Sequence, residues 1–287
     1  MKATGFRLVA RGIALAAGLC VAASTQALLA GSAPDSPAAR VEPNVSTSAF
    51  TSAVSISIGS GVYSGVVVAP RYVLTAAHVA AGSTPEAVSV QVNATSVPVV
   101  IGASAIHVFP GASFPYDDLA LIELATAVPP TVHIPPVYQE PLLRHQGVTL
   151  VGYGSSANGD SGAFVGGLAG VKRSGRNAID AVQSAVDSSG RTSLFYLFDF
   201  DGPSGNGVLG GATLGNALET GLSVGDSGSP AYASIGGQVW LIGIDNLVFT
   251  TNGTGADFRF GTGGGGMLLS DPRFIAWLRT QTADTLG

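Results

Sequence analysis

Apolar and polar residues alternate strictly along Val54-Ser55-Ile56-Ser57-Ile58. A period of two sends alternate side chains to opposite faces, so this segment is predicted to be a half-buried strand. Similar short runs, rich in β-branched residues, occur at Gly65–Val68, Tyr72–Thr75, Val88–Val92, Val97–Ile101 and Leu119–Leu124. A proline-rich stretch from Val128 to Pro141 follows. Further runs then come at Val148–Tyr153, Leu194–Phe200, Pro230–Ala233 and Val239–Ile244. Short apolar segments separated by turn residues predict a mostly β chain, with the proline-rich stretch linking two halves.

Two regions break the pattern. At the end of the chain Ser270 or Asp271 can cap a helix, Pro272 suits its first turn, and Phe274, Trp277 and Leu278 share one face. Residues 28–48 are rich in Ala, Ser and Pro without periodicity and read as a linker or propeptide. The first 27 residues carry Lys2, Arg7 and Arg11 ahead of an apolar run from Gly12 to Ala23. They end on Thr25-Gln26-Ala27, the make-up of a secretory signal with a cleavage site after Ala27. That run is too short to span a membrane, and no later one is long enough.

Composition sharpens this picture. Cys20 is the only cysteine and departs with the signal, so the mature chain has no disulfide although an exported location would allow one. A bulky Leu19 before Cys20 argues against a lipid anchor there. About 250 residues can bury a core without such staples. Only 11% of residues are charged and 40 are glycine, which suits many strands joined by tight turns. Removing the signal takes away three basic residues and no acid, so the formal charge moves from −5 to −8. Such a chain has no electrostatic case for binding nucleic acid, and it lacks a basic amphipathic stretch for anionic lipid.

The chemistry is concentrated in three blocks. Gly225-Asp226-Ser227-Gly228-Ser229-Pro230 sets a serine in a glycine turn before an apolar strand. Leu74-Thr75-Ala76-Ala77-His78 ends a β-run on a histidine, and Asp117-Asp118-Leu119-Ala120-Leu121 opens another on two aspartates. A serine hydroxyl is a poor nucleophile at neutral pH. It needs a base within hydrogen-bond reach and a third group holding that base in one tautomer. A lone Gly-Asp-Ser-Gly is an ordinary turn, and Gly159-Asp160-Ser161-Gly162, which lacks the following proline and strand, reads as one. Of the paired aspartates, Asp117 is one residue early and would face away on a strand.

The block Ser64-Gly65-Val66-Val67-Val68-Ala69-Pro70-Arg71-Tyr72-Val73-Leu74-Thr75-Ala76-Ala77-His78, with the order His, Asp, Ser, resembles the trypsin/chymotrypsin-like serine peptidases, in a secreted, disulfide-free bacterial form. The resemblance spans roughly residues 50–280 and implies an all-β fold. Two packed six-stranded antiparallel barrels (about 49–140 and 141–270) would be followed by a short helix at 271–281. It also implies Ser227 as nucleophile, His78 as general base and Asp118 as its orienter, with the Gly225 and Ser227 amides as oxyanion hole. Gly221 would sit at the base of the primary specificity pocket, where a preference for Arg or Lys needs a carboxylate. Asn246 and Leu247 would form one pocket wall in place of the family's Ser-Trp, with Gly263–Gly266 opposite, and Asn246 could hydrogen-bond Asp118.

In the resembling enzymes the residue at Asp226 pairs with an amine released by proteolysis. A cut between Arg40 and Val41 is the candidate source, although Val41-Glu42-Pro43-Asn44 is unlike the usual Ile-Val-Gly-Gly start. Asp199, Asp201 and Asn206 around Gly202 fit a calcium loop poorly, so the stretch reads as a polar turn with a structural calcium ion as the alternative; no metal or cofactor is expected in the site. The expected protein is a monomeric, secreted (extracellular or periplasmic) endopeptidase with a polypeptide substrate, no nucleic-acid partner and no membrane association after signal removal. The alternatives are a catalytically silent peptidase-like binding module and an esterase on the same fold.

Overall fold

The computed structural model describes residues 28–142, 144–162, 170–205, 207–211, 213–250 and 257–287. The signal segment, Cys20 and Asn206 lie outside the described residues. The first half holds β1 (Ala53–Ile58), β2 (Gly61–Ala69), β3 (Tyr72–Thr75), the one-turn helix α1 (Ala77–Ala80), β4 (Val88–Val92), β5 (Val99–Val108) and β6 (Ala120–Leu124). These strands close into a barrel in the order β1-β2-β3-β6-β5-β4. The second half holds β7 (Gly147–Gly152), β8 (Arg173–Ala178), β9 (Ala181–Val186), β10 (Thr192–Asp199), β11 (Pro230–Ile235), β12 (Gln238–Phe249) and β13 (Gly263–Leu268), and α2 (Pro272–Gln281) follows.

Strand alternation decides which side chains fill which core. In β1, Val54 and Ile56 point into the first barrel with Val67, Val73, Val90 and Ile122. Ala53 faces the other way, into a core shared by the two halves and α2, with Val66, Leu121, Tyr153, Tyr232 and Leu278. The polar face expected of β1 is therefore buried as well: Ser55 is only 4% exposed. Hydrogen bonds tie the seam, with Tyr153 Oη donating to Ala53 O (3.1 Å) and Ser52 Oγ paired with Tyr232 Oη (2.9 Å).

The second half departs from the expected six strands. It is a seven-stranded sheet in the order β8-β7-β11-β12-β13-β10-β9. Its two edge strands are consecutive in the chain, joined only by Ile179-Asp180. So short a link cannot reach across a flat sheet, so the sheet must curl until its edges meet. The sixth strand of the expected barrel is thus broken in two at Ile179-Asp180, where Asp180 N bonds Leu197 O (2.9 Å).

Residues 28–48 are not a free linker. Leu28, Leu29 and Ala30 are fully buried, and Leu28 joins Val148, Tyr196, Phe198 and Leu222 inside the second sheet. At the other end Asp271 caps α2 by accepting from Arg273 N (2.9 Å), and Pro272 occupies its first turn. Phe274, Ile275 and Leu278 are buried, and at roughly 1.5–3 kcal/mol per buried side chain they hold the helix down.

Candidate active site

β3 delivers His78 to the seam between the halves. Its last residue, Thr75, turns its hydroxyl onto Ser64 O of β2 (2.9 Å). The chain then enters α1, where Ala77 N bonds Asp118 O (3.1 Å) and His78 N bonds Asp118 Oδ1 (2.8 Å). The second carboxylate oxygen, Oδ2, lies 2.7 Å from His78 Nδ1 and accepts from Asn246 Nδ2 at 3.1 Å. Asp118 is fully buried. With Asp118 accepting, the imidazole proton sits on Nδ1 and Nε2 keeps its lone pair for a substrate-side group.

The neighbouring aspartate is turned elsewhere. Asp117 has a positive φ (+49°), accepts from Ser193 Oγ (2.8 Å) and pairs with Arg273 of α2 at 2.9 and 3.0 Å. One Asp of the pair contacts Arg273 of the C-terminal helix and the other contacts the histidine.

The Ser227 loop is pressed against the same turn. Gly228 has φ +84°, and a Cβ there would lie 2.0 Å from Thr75 Oγ1, 2.4 Å from Ser64 O and 3.0 Å from Ala76 N. Gly225 has φ +90°, with its Cβ position 2.8 Å from both Gly154 Cα and Val62 O. Only glycine fits either place. Ser64 connects the parts: its N donates to Ser227 O (3.2 Å), its hydroxyl donates to Gly225 O (3.0 Å), and that hydroxyl accepts from Tyr153 N (2.9 Å). The sequence signal for Ser64 was only its place opening the histidine block. The Ser227 hydroxyl makes no hydrogen bond to a described residue, so the Oγ–Nε2 contact of a working triad is not formed here. Such contacts commonly tighten only when substrate binds.

Beneath the loop lie two buried carboxylates. Asp226 accepts from Gly154 N, Ser223 N and Leu28 N, each at 3.0 Å. Desolvation pushes it up to about 6. Asp245, missed from the sequence because it sits within an apolar run, accepts from Tyr196 Oη (2.6 Å) and Ser229 Oγ (2.8 Å). Its backbone pairs with the Ser227 loop: Gly228 N donates to Asp245 O and Asp245 N to Ser229 O, both at 2.8 Å. Burial pushes Asp245 up to about 8. Its unfolded value is about 4, so the folded protein holds the extra proton between those limits and loses stability as pH rises through them. Asp245→Asn should keep the shape and flatten that slope. Melting temperatures of the two proteins at pH 5 and pH 9 check this, and equal slopes would refute it.

The pocket residues divide. Asn246 joins the His78–Asp118 pair, and the half-buried Leu247 packs on the shared core beside it. Gly221 lies deeper: its carbonyl accepts from Leu29 N (3.0 Å), and a Cβ there would meet Leu29 and Phe200 at 3.0–3.1 Å. Glu219 does not supply charge in its place, since Thr213 Oγ1 (2.9 Å), Leu214 N (2.6 Å) and Asp201 N occupy its oxygens. Across β13, Gly264 faces Phe198 and Leu222 at 2.9–3.2 Å from its Cβ position, so this wall is apolar.

Two other expectations meet the structure differently. Arg40 is not poised for cleavage: it is 6% exposed, paired with Asp35 at 2.6 Å and bonded to Leu218 O and Glu219 O. Val41 bridges Arg173, while the Asp226 carboxylate is taken by Leu28. In this structure Val41 therefore does not reach Asp226. Around Gly202, Asp199 bonds the Leu209 amide. Among the described residues no group of three or more His, Cys, Asp and Glu is arranged to hold a metal ion.

Comparison with known proteins finds one family match. The family model Trypsin matches residues 42–171, covering the first barrel and the opening of the second sheet. No curated protein matches the chain.

Proposed function

We propose that this chain, a trypsin/chymotrypsin-like serine peptidase by family and fold, is a secreted endopeptidase that cleaves peptide bonds through an acyl-enzyme. The observation that carries the reading is the contact between buried Asp118 and solvent-facing His78 at 2.7 Å, set beside a serine loop that Gly228 packs against the histidine turn and Gly225 packs against Gly154 and Val62. In this mechanism Ser227 Oγ attacks the substrate carbonyl while its proton passes to His78 Nε2. Asp118, held by Asn246, stabilises the imidazolium. The Gly225 and Ser227 amides, which donate to no described residue, hold the developing oxyanion, each contributing roughly 3–4 kcal/mol. His78 then returns the proton to the leaving amine, the C–N bond breaks, and water releases the acyl group from Ser227 by the same route.

Gly221 offers no carboxylate and Glu219 is already bonded, so the acyl-side residue is neutral rather than Arg or Lys. Residues 1–27 serve as the export signal. No helix of the described residues is long and apolar enough to cross a membrane. The enzyme works as a monomer with no cofactor, metal or nucleic-acid partner.

A fluorophosphonate probe should label Ser227, located by mass spectrometry of the digested adduct, and the protein should cut peptides from a mixed library. An unlabelled but folded protein would favour the silent binding module. Labelling with ester turnover but no peptide cleavage would favour the esterase. Faster cleavage after Arg than after Leu or Phe would sink the specificity reading.

A further inference from the structure

Leu28 is the first residue after the signal-type junction, and it is buried in the middle of the molecule. Its N–H is 3.0 Å from Asp226 Oδ2, 198 residues away in sequence. The segment behind it is bonded at every step. Leu28 O accepts from Ser156 Oγ, Leu29 N donates to Gly221 O (3.0 Å), Ala30 N to Ala157 O (2.9 Å), and Gly31 N to Asp35 Oδ2 (2.7 Å). A Cβ at Gly31 would run into Asn216 at 2.2 Å, so the segment fits one groove in one register.

Two features at this point are unfavourable in an uncut chain. Asp226 is a buried carboxylate with only neutral N–H donors on its oxygens. The Arg173 guanidinium acts on it only at a distance, and its Nε is spent on Pro37 O (2.8 Å). A buried carboxylate without a contacting cation is costly. Leu28 also has φ +51°, a left-handed conformation that a branched side chain rarely adopts. That φ exists only while Ala27 is attached.

We infer that hydrolysis of the Ala27–Leu28 bond by the signal peptidase of the export pathway is itself the activation step, leaving the Leu28 ammonium paired with Asp226. Water adds across the bond. The new carboxylate leaves on Ala27, and the amine takes up a proton inside the groove. The φ restraint at Leu28 disappears, and Asp226 gains its missing countercharge one residue from the Ser227 nucleophile and next to the Gly225 amide. No separate activating protease is needed, and the chain is kept inactive until it has crossed the membrane. This inference rests on the peptidase reading for its effect on activity, but not for its effect on the terminus.

Mass spectrometry of the exported protein should find Leu28 as first residue, and a mature chain beginning at Gly31, Val41 or any other residue overturns the inference. A second pair of proteins, one starting at Leu28 and one retaining Ala27, can be made by releasing each from a cleavable N-terminal fusion. The Ala27 form should melt on the order of 10 °C lower. It should also lose about 10²–10³-fold in kcat/KM, the cost of displacing one oxyanion donor. The melting difference should vanish in an Asp226→Asn background. Equal melting of the two forms overturns the proposal whether or not the protein turns over. A melting difference without any turnover or probe labelling supports the ion pair and removes instead the peptidase reading.

Discussion

Ser227→Ala should lower kcat/KM by about 10⁶-fold while leaving the melting temperature unchanged. His78→Ala should do the same, and the double variant should lose no more than either alone, because nucleophile and base act as one unit. The structural reason lies in how Ser227 is held. Its backbone carbonyl is fixed by Ser64 N, and the flanking glycines set the path of the loop. The hydroxyl itself bonds no described residue, so its removal costs the fold nothing. Residual turnover from the oxyanion amides and binding should remain about 10³–10⁴-fold above water. Ser161→Ala is the matched control. Its turn has the same four residues, but Phe260 lies 2.5 Å from the Cβ position of Gly159 there. It should leave kcat/KM unchanged. Steady-state kinetics on a peptide substrate, with thermal melts of each variant, decide the matter, and a Ser227→Ala loss below about a hundredfold would remove Ser227 as nucleophile.

Most strands that line the seam were legible because their residues alternate and are β-branched. β1, β3 and β4 fall where the pattern puts them, and Asp271 with Pro272 marks α2 from sequence alone. Three strands were not legible, each for a physical reason. β13 is Gly-Gly-Gly-Gly-Met-Leu. Its glycines have no propensity for a strand, and they are required because Phe249, Phe198 and Ile244 O occupy the space where side chains would go. β8 reads Arg-Ser-Gly-Arg-Asn-Ala, a polar run whose alternate burial comes from neighbours far away in sequence. β9 is an exposed edge with little hydrophobic signal. The same limit applies to the site. His78, Asp118 and Ser227 announce themselves by local motif. The Leu28 contact with Asp226 and the pairing of Asp245 with Tyr196 depend on tertiary folding that brings together residues 198 and 49 positions apart.

Asp118→Asn should lower kcat/KM by about 10⁴-fold near neutral pH, whereas Asp117→Asn, one residue away, should leave it within a few-fold. The carboxylate of Asp118 holds the His78 ring through Oδ2 and the His78 backbone through Oδ1. An amide can keep the backbone bond with its oxygen, but it then presents an NH₂ group to Nδ1. To accept that bond the imidazole must move its proton to Nε2, so the nitrogen facing Ser227 has no lone pair and the base is in the wrong tautomer. The second partner of Oδ2, Asn246 Nδ2, would also meet a donor, adding a clash of like groups at 3.1 Å. Hence the loss is in kcat, with KM little changed. Asp117→Asn breaks a different contact, the two-pronged pair with Arg273 at 2.9 and 3.0 Å. Arg273 is 41% exposed and keeps Asp271 as a partner, so solvent screens part of the loss. The expected result is a melting temperature lowered by a few degrees with α2 loosened. Kinetics and melts on the two variants side by side test the assignment. Equal losses of kcat would show that the site tolerates neither change for structural reasons, and a reversed order would move the orienting role to Asp117.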